Sequence, residues 1–159
     1  MSTTTNQTEI SIDPDVPLVR ITREFDAPPE NVFRAHVDPD LVRHWLGPRR
    51  HEMVIDTWDC RTGGSYRYEH RSDGNVYGFH GCFHEVRPNE LIVQTFTFEG
   101  AADEVALEKL RLVDLGDGRT RLVAESLVDS FESRDAFVAS GMEDGVREGY
   151  ERLDELLGS

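Results

Sequence analysis

Three tyrosines, Tyr66, Tyr68 and Tyr150, are the side chains of this 159-residue chain whose chemistry would change most on enclosure. A phenol held in a dry pocket can donate a proton, although a buried tyrosine is more often a core residue with its hydroxyl satisfied. No residue is therefore assigned as a catalyst. His80 and His84 stand four residues apart in a segment that alternates with period two. Four residues of extended chain span roughly 13 Å, too far for two ligands of one ion, so no metal site is expected. Cys60 and Cys82 form no CxxC pair and read as free thiols in a reducing compartment. No GxSxG, HExxH or glycine-rich phosphate loop is present, which removes the usual support for hydrolase and nucleotide chemistry. No cofactor is expected.

The charge balance excludes one further class. With 31 acidic against 17 basic residues, a net charge of -14 and a pI near 4.7, the chain would repel a phosphate backbone. Nucleic acid and anionic membrane are not expected partners. Residues 1–16 are rich in Ser, Thr, Asn and Asp, carry no apolar run, and read as a disordered tail without signal peptide or anchor. The remaining residues 17–159 read as a single domain, and the whole as a cytoplasmic protein.

Positioning the tyrosines requires strands and a helix, and the punctuation of the chain supplies both. Residues 18–25 alternate, with Val19, Ile21 and Phe25 in one phase. Asp26-Ala27-Pro28-Pro29 opens a short helix, and Asp38-Pro39-Asp40 opens a second that ends at Gly47-Pro48. From His51 to Val128 the period is two and turn residues recur, as in an antiparallel meander: segments 53–59, 65–71, 76–86, 91–98, 104–115 and 119–128. That makes about seven strands in all. Tyr66 and Tyr68 share a phase against Arg67, Glu69 and Arg71, while Phe79 and Phe83 oppose His80 and His84. Between 91 and 98 both phases are partly apolar. Between 104 and 115 the apolar phase shifts from Val105 and Leu107 to Leu110 and Leu112, which predicts a bulge.

Residues 133–157 read as one long helix capped by Ser133, with Met142, Val146, Tyr150, Leu153 and Leu157 along one face. Gly141, Gly145 and Gly149 recur every four residues within it, each at a cost of about 1 kcal/mol relative to alanine. They allow either a close backbone approach or room, or a bend, for a ligand.

The sequences Phe25-Asp26-Ala27-Pro28-Pro29-Glu30-Asn31-Val32-Phe33, Asp38-Pro39 with Trp45, Gly63-Gly64-Ser65-Tyr66, and Gly81 through Glu85-Val86-Arg87-Pro88 resemble the START-like (SRPBCC) superfamily. The branch they are similar to is related to the C-terminal domain of the activator of Hsp90 ATPase. Gly141-Met142 with Gly145 and Tyr150-Glu151-Arg152-Leu153 fit the same branch. The resemblance implies an α+β helix-grip fold, a curved antiparallel sheet around a long C-terminal helix, with a cavity between them. Its expected lining is Trp45, Tyr66, Tyr68, Phe79, Phe83, Phe96, Phe98, Met142, Val146 and Tyr150. The resemblance implies binding of a small hydrophobic molecule, lipid- or polyketide-like. A cavity enzyme of the polyketide cyclase type and an interaction or co-chaperone module are the alternatives, and a homodimer is compatible with each.

Overall fold

The computed structural model describes residues 6–158. Eight strands form one antiparallel sheet in the order β1-β2-β8-β7-β6-β5-β4-β3. They are β1 (Glu9–Ile12), β2 (Leu18–Phe25), β3 (Glu52–Trp58), β4 (Ser65–Ser72), β5 (Asn75–Arg87), β6 (Leu91–Phe98), β7 (Ala106–Gly116) and β8 (Arg119–Leu127). Helices α1 (Pro29–Val37) and α2 (Pro39–Val42) follow β2, and α3 (Phe131–Ala139) and α4 (Met142–Leu157) close the chain. This is the helix-grip arrangement that the sequence resemblance implied. No helix among the described residues is long and apolar enough to cross a membrane.

Two expectations need correction at the chain ends. Residues 9–12, read as part of a disordered tail, form an edge strand: Ile10 lies opposite Ile21 and Ile12 opposite Val19, which extends the apolar face of β2. The first five residues of that expected tail lie outside the described residues. The C-terminal helix is two helices. Ser130, not Ser133, caps the first, its side chain accepting from the Ser133 backbone N–H. Gly141 then takes φ of +89°, a left-handed conformation that ends one helix and starts the next.

The concave face can be followed from pair to pair. Beginning at β4, Tyr66, Tyr68 and His70 stand opposite Gly81, Phe79 and Tyr77 of β5. Phe79 faces Phe98 and Phe83 faces Gln94 on β6, which places Gln94, Phe96 and Phe98 inward. Gln94 in turn faces Glu108, and Ile92 faces Leu110. The expected bulge within residues 104–115 does not occur between Val105 and Leu112. β7 keeps one register with β6 from Arg111 to Ala106, and its irregularity lies at Asp114/Gly116, beside the hairpin. Val105 and Leu107 are exposed, and Glu108 shares the inward phase of Leu110 and Leu112.

α4 covers one end of this face. Tyr150 and Leu153 are buried, with the Tyr150 ring 5.8 Å from Phe25 and 6.0 Å from Trp45. Trp45 is fixed by donation from its indole N–H to the Ala35 carbonyl at 2.8 Å. Gly149 is where the helix comes closest: a methyl there would meet the Trp45 carbonyl oxygen at 3.2 Å and the Gly47 nitrogen at 3.3 Å.

Candidate functional site

The inward face of β6, β7 and β8 carries a polar row through otherwise apolar surroundings. The Gln94 side-chain amide donates to Glu108 Oε1 at 3.1 Å and to the Tyr66 hydroxyl at 3.3 Å. The Ser126 hydroxyl donates to Glu108 Oε2 at 3.2 Å. The Tyr66 hydroxyl itself donates to the Thr95 carbonyl at 2.6 Å. The row thus runs from Tyr66 on β4, past Gly81 of β5, through Gln94 on β6 and Glu108 on β7 to Ser126 on β8. Gly81 makes room for it: a side chain there would collide with the Thr95 carbonyl and stand 2.7 Å from the Tyr66 hydroxyl oxygen.

Burial pushes the Glu108 carboxyl up to about 7, while the hydrogen bonds from Ser126 and Gln94 pull in the opposite direction. Burial exceeds the help of two neutral donors because neither brings a charge. A carboxyl so poised exchanges its proton near neutral pH, and the Ser126 hydroxyl can accept from the acid as readily as it donates to the anion. Tyr66, Tyr68 and Tyr150 all have phenols raised above their ordinary value, first by burial and next by the Glu108 charge. All three therefore lie within electrostatic reach of one carboxyl.

Tyr68 and Tyr150 are 6% and 9% exposed, and their hydroxyls have no hydrogen-bond partner among the described residues. Neither oxygen is fully closed off. These two phenols, one on β4 and one on α4, lie within electrostatic reach of the Glu108 carboxyl and offer hydrogen-bonding capacity that no described residue takes up.

A pocket of about 230 Å³ opens at one end of this face. Phe96, Phe98 and Ala106 form its sheet side, and Ala136, Phe137 and Ser140 of the α3 segment form its lid side. Phe96 and Ala106 each stand two residues from the polar row, along β6 and β7 from Gln94 and Glu108. Two residues of strand advance about 7 Å, so the pocket ends one inward side chain short of the carboxyl.

The residues expected to line a cavity divide into three groups. Trp45, Tyr66, Tyr68, Phe83 and Tyr150 belong to the buried core. Phe79, Phe96, Met142 and Val146 are partly buried against it. Phe98 is 38% exposed and stands at the pocket rim, in ring contact with Phe79 at 5.4 Å. Aromatic stacking joins Tyr66 to Tyr68 and Phe79 to Phe96, so most of the set shares one face.

The sequence reading passed over Glu108, Gln94 and Ser126. One signal was available: Glu108 stands in alternation with Leu110 and Leu112. Arg23, in phase with Val19, Ile21 and Phe25, is a second inward charge, 4% exposed and paired with Asp154 at 3.2 Å. His80 and His84 face outward; His80 Nδ1 pairs with Glu99 Oε2 at 2.9 Å. Both cysteines are free thiols, and burial pushes Cys60 up to about 12.

A family model described as activator of Hsp90 ATPase homolog 1-like protein matches residues 26–158. Among solved structures, a Rhodobacter sphaeroides protein is 26% identical with a TM-score of 0.84, covering 94% of this chain and 97% of its own. A Chromobacterium violaceum protein is 27% identical with a TM-score of 0.78, covering 89% and 98%. An Arthrobacter aurescens protein, solved in solution, is 25% identical with a TM-score of 0.86, covering 94% and 91%. No curated protein matches the chain.

Proposed function

The chain belongs to the activator of Hsp90 ATPase homolog 1-like family, and from that premise we propose that it binds a small, largely apolar molecule between the concave sheet and α3–α4. The ligand enters past Phe96, Phe98 and Phe137 and places one polar group at Glu108. The observation that carries this reading is the Glu108 carboxyl itself. This carboxyl is part-buried and matched only by a neutral amide and a hydroxyl, an arrangement that costs free energy, and a core that needed only stability would place a leucine there. Lipid-like and polyketide-like molecules both have the required form, an apolar body with sparse oxygen or nitrogen functions.

The same carboxyl favours a second reading, a cavity enzyme of the cyclase type. Glu108 would take a proton from an enclosed carbon acid, and the Tyr68 or Tyr150 hydroxyl would donate to the oxygen on which negative charge develops. Binding precedes catalysis in either case, so one experiment serves both. Native mass spectrometry of the purified protein, with a thermal-shift screen of apolar metabolites, should yield a bound mass or a saturable rise in Tm. Val146→Trp should abolish that rise. Absence of any bound mass and any shift would leave the interaction module as the better account, with the exposed outer pair Leu107 and Leu127 as the surface to examine.

A further inference from the structure

Resting on that binding reading, the chemical class of the ligand can be narrowed. We propose that the site takes an apolar molecule bearing a protonated amine, with the ammonium group seated against the Glu108 carboxylate and the faces of Tyr66, Tyr68 and Tyr150.

Three observations carry this. Glu108 is inward, and no Lys, Arg or His among the described residues forms an ion pair with it or adds a charge contribution to it. Its partners are a neutral amide at 3.1 Å and a hydroxyl at 3.2 Å, each of which occupies one lone pair and leaves the others open. A carboxylate drawn even partly out of water is ordinarily matched by a cation, and the described residues supply none to this part-buried one. The nearest inward cation by position, Arg23, is already held by Asp154, and its register partner Leu122 lies four residues along β8 from Ser126.

The second observation is the wall. Tyr66 and Tyr68 stack at 5.9 Å, and Tyr150 of α4, packed on Trp45 at 6.0 Å, lies within electrostatic reach of the same carboxyl. Aromatic faces attract ammonium groups through the ring quadrupole, most strongly where water is excluded. The open hydroxyls of Tyr68 and Tyr150 can accept the ammonium hydrogens that Glu108 leaves unused. A carboxylate ligand would meet repulsion at the same point, and an alcohol would gain hydrogen bonds without charge attraction.

The third is the field of the whole chain. A net charge of -14 raises the local concentration of cations and lowers that of anions. A primary alkylamine is protonated at neutral pH as a lysine is, so it arrives in the form the site matches.

The test uses two skeletons, octyl and 2-naphthylethyl, each as amine, alcohol and carboxylate, titrated calorimetrically into the full chain at pH 8. The expected order is amine tighter than alcohol by at least tenfold, with the carboxylate weakest. E108Q should bring the amine to the level of the alcohol measured in the same variant, and a circular dichroism spectrum and urea midpoint matching or exceeding the parent's show that the variant keeps its fold. Equal affinity of amine and alcohol in the parent, or an amine preference that survives in E108Q, overturns the assignment while leaving the binding reading intact. If no probe of either skeleton binds, both fall.

Discussion

Glu108 and Ser126 stand directly opposite each other on β7 and β8, with the serine hydroxyl 3.2 Å from Oε2. The pair is polar on a face where its neighbours Leu110 and Ala124, one inward step away, are apolar. The folded protein therefore resists ionisation of Glu108 more than the unfolded chain does.

The sign of the pH effect follows. The Glu108 carboxyl lies near 7 in the fold against an ordinary 4.5, so the folded state holds the proton more tightly. Stability is unaffected below pH 4.5, falls as pH rises toward 7, and stays lower above it, by on the order of 3 kcal/mol. The titratable groups facing it, Tyr66 and Tyr68 from β4 and Tyr150 from α4, remain neutral through this range. E108Q should be more stable than the parent at pH 8 and close to it at pH 4.5, by urea unfolding. Parallel curves for the two proteins would show that Glu108 ionises freely.

Gly81 and Tyr66 form a second pair with a defined dependence. A methyl at Gly81 meets the Thr95 carbonyl and the Tyr66 hydroxyl together, so Gly81→Ala should cost roughly 2–4 kcal/mol through strain in the β5–β6 ladder. Tyr66→Phe loses only the bonds to Thr95 and Gln94, about 1–2 kcal/mol. The double variant should regain little, because the backbone carbonyl remains in the way. Full recovery in the double variant would show that the hydroxyl alone needed the glycine.

The strands were legible because their turns were. Asp73-Gly74 and Asp117-Gly118 adopt the positive φ values that a tight hairpin needs, and each flanking segment was placed within two residues. The candidate site was less legible. Periodicity assigns charged residues outward, and this rule hid Glu108 and Arg23, which stand in the inward phase of β7 and β2. The apolar phase shift in β7 predicts a bulge only if Val105 and Leu107 are core. They are surface residues, and the conflict was the trace of an inward carboxyl. The helix break was hidden for another reason: the three glycines share a spacing, but only Gly141 has the left-handed backbone.

Two histidines act on stability in the direction opposite to Glu108. His36 is enclosed against Trp45, its Nδ1 facing the Val32 carbonyl at 2.8 Å and its Nε2 without a partner among the described residues, and burial lowers it to about 4. His70 falls to about 4 through burial, with His51 and Arg152 adding repulsion. Their contribution is fully present above pH 6.5 and is lost as pH falls toward 4. In an NMR titration, neither imidazole should change its shift between pH 7.5 and 5.5. A midpoint near 6.5 for either would mean that its ring is open to water.

The three glycines of the C-terminal segment separate by substitution with alanine. Gly145→Ala should be neutral or stabilising by up to about 1 kcal/mol, since the added methyl meets only Pro48 Cδ at 3.6 Å and helix propensity improves. Gly141→Ala gains nothing by contact and must hold φ near +89°, which costs about 1–2 kcal/mol. Gly149→Ala presses on the Trp45 and Gly47 backbone and should lift α4 from the segment that follows α2, costing about 1–3 kcal/mol and loosening the packing of Trp45 on Tyr150. Tryptophan fluorescence reports that contact, so only the third variant should alter the folded spectrum. A changed spectrum in Gly141→Ala would place the flexible point of the grip at the helix break and make α3, which bounds the pocket, the element that moves.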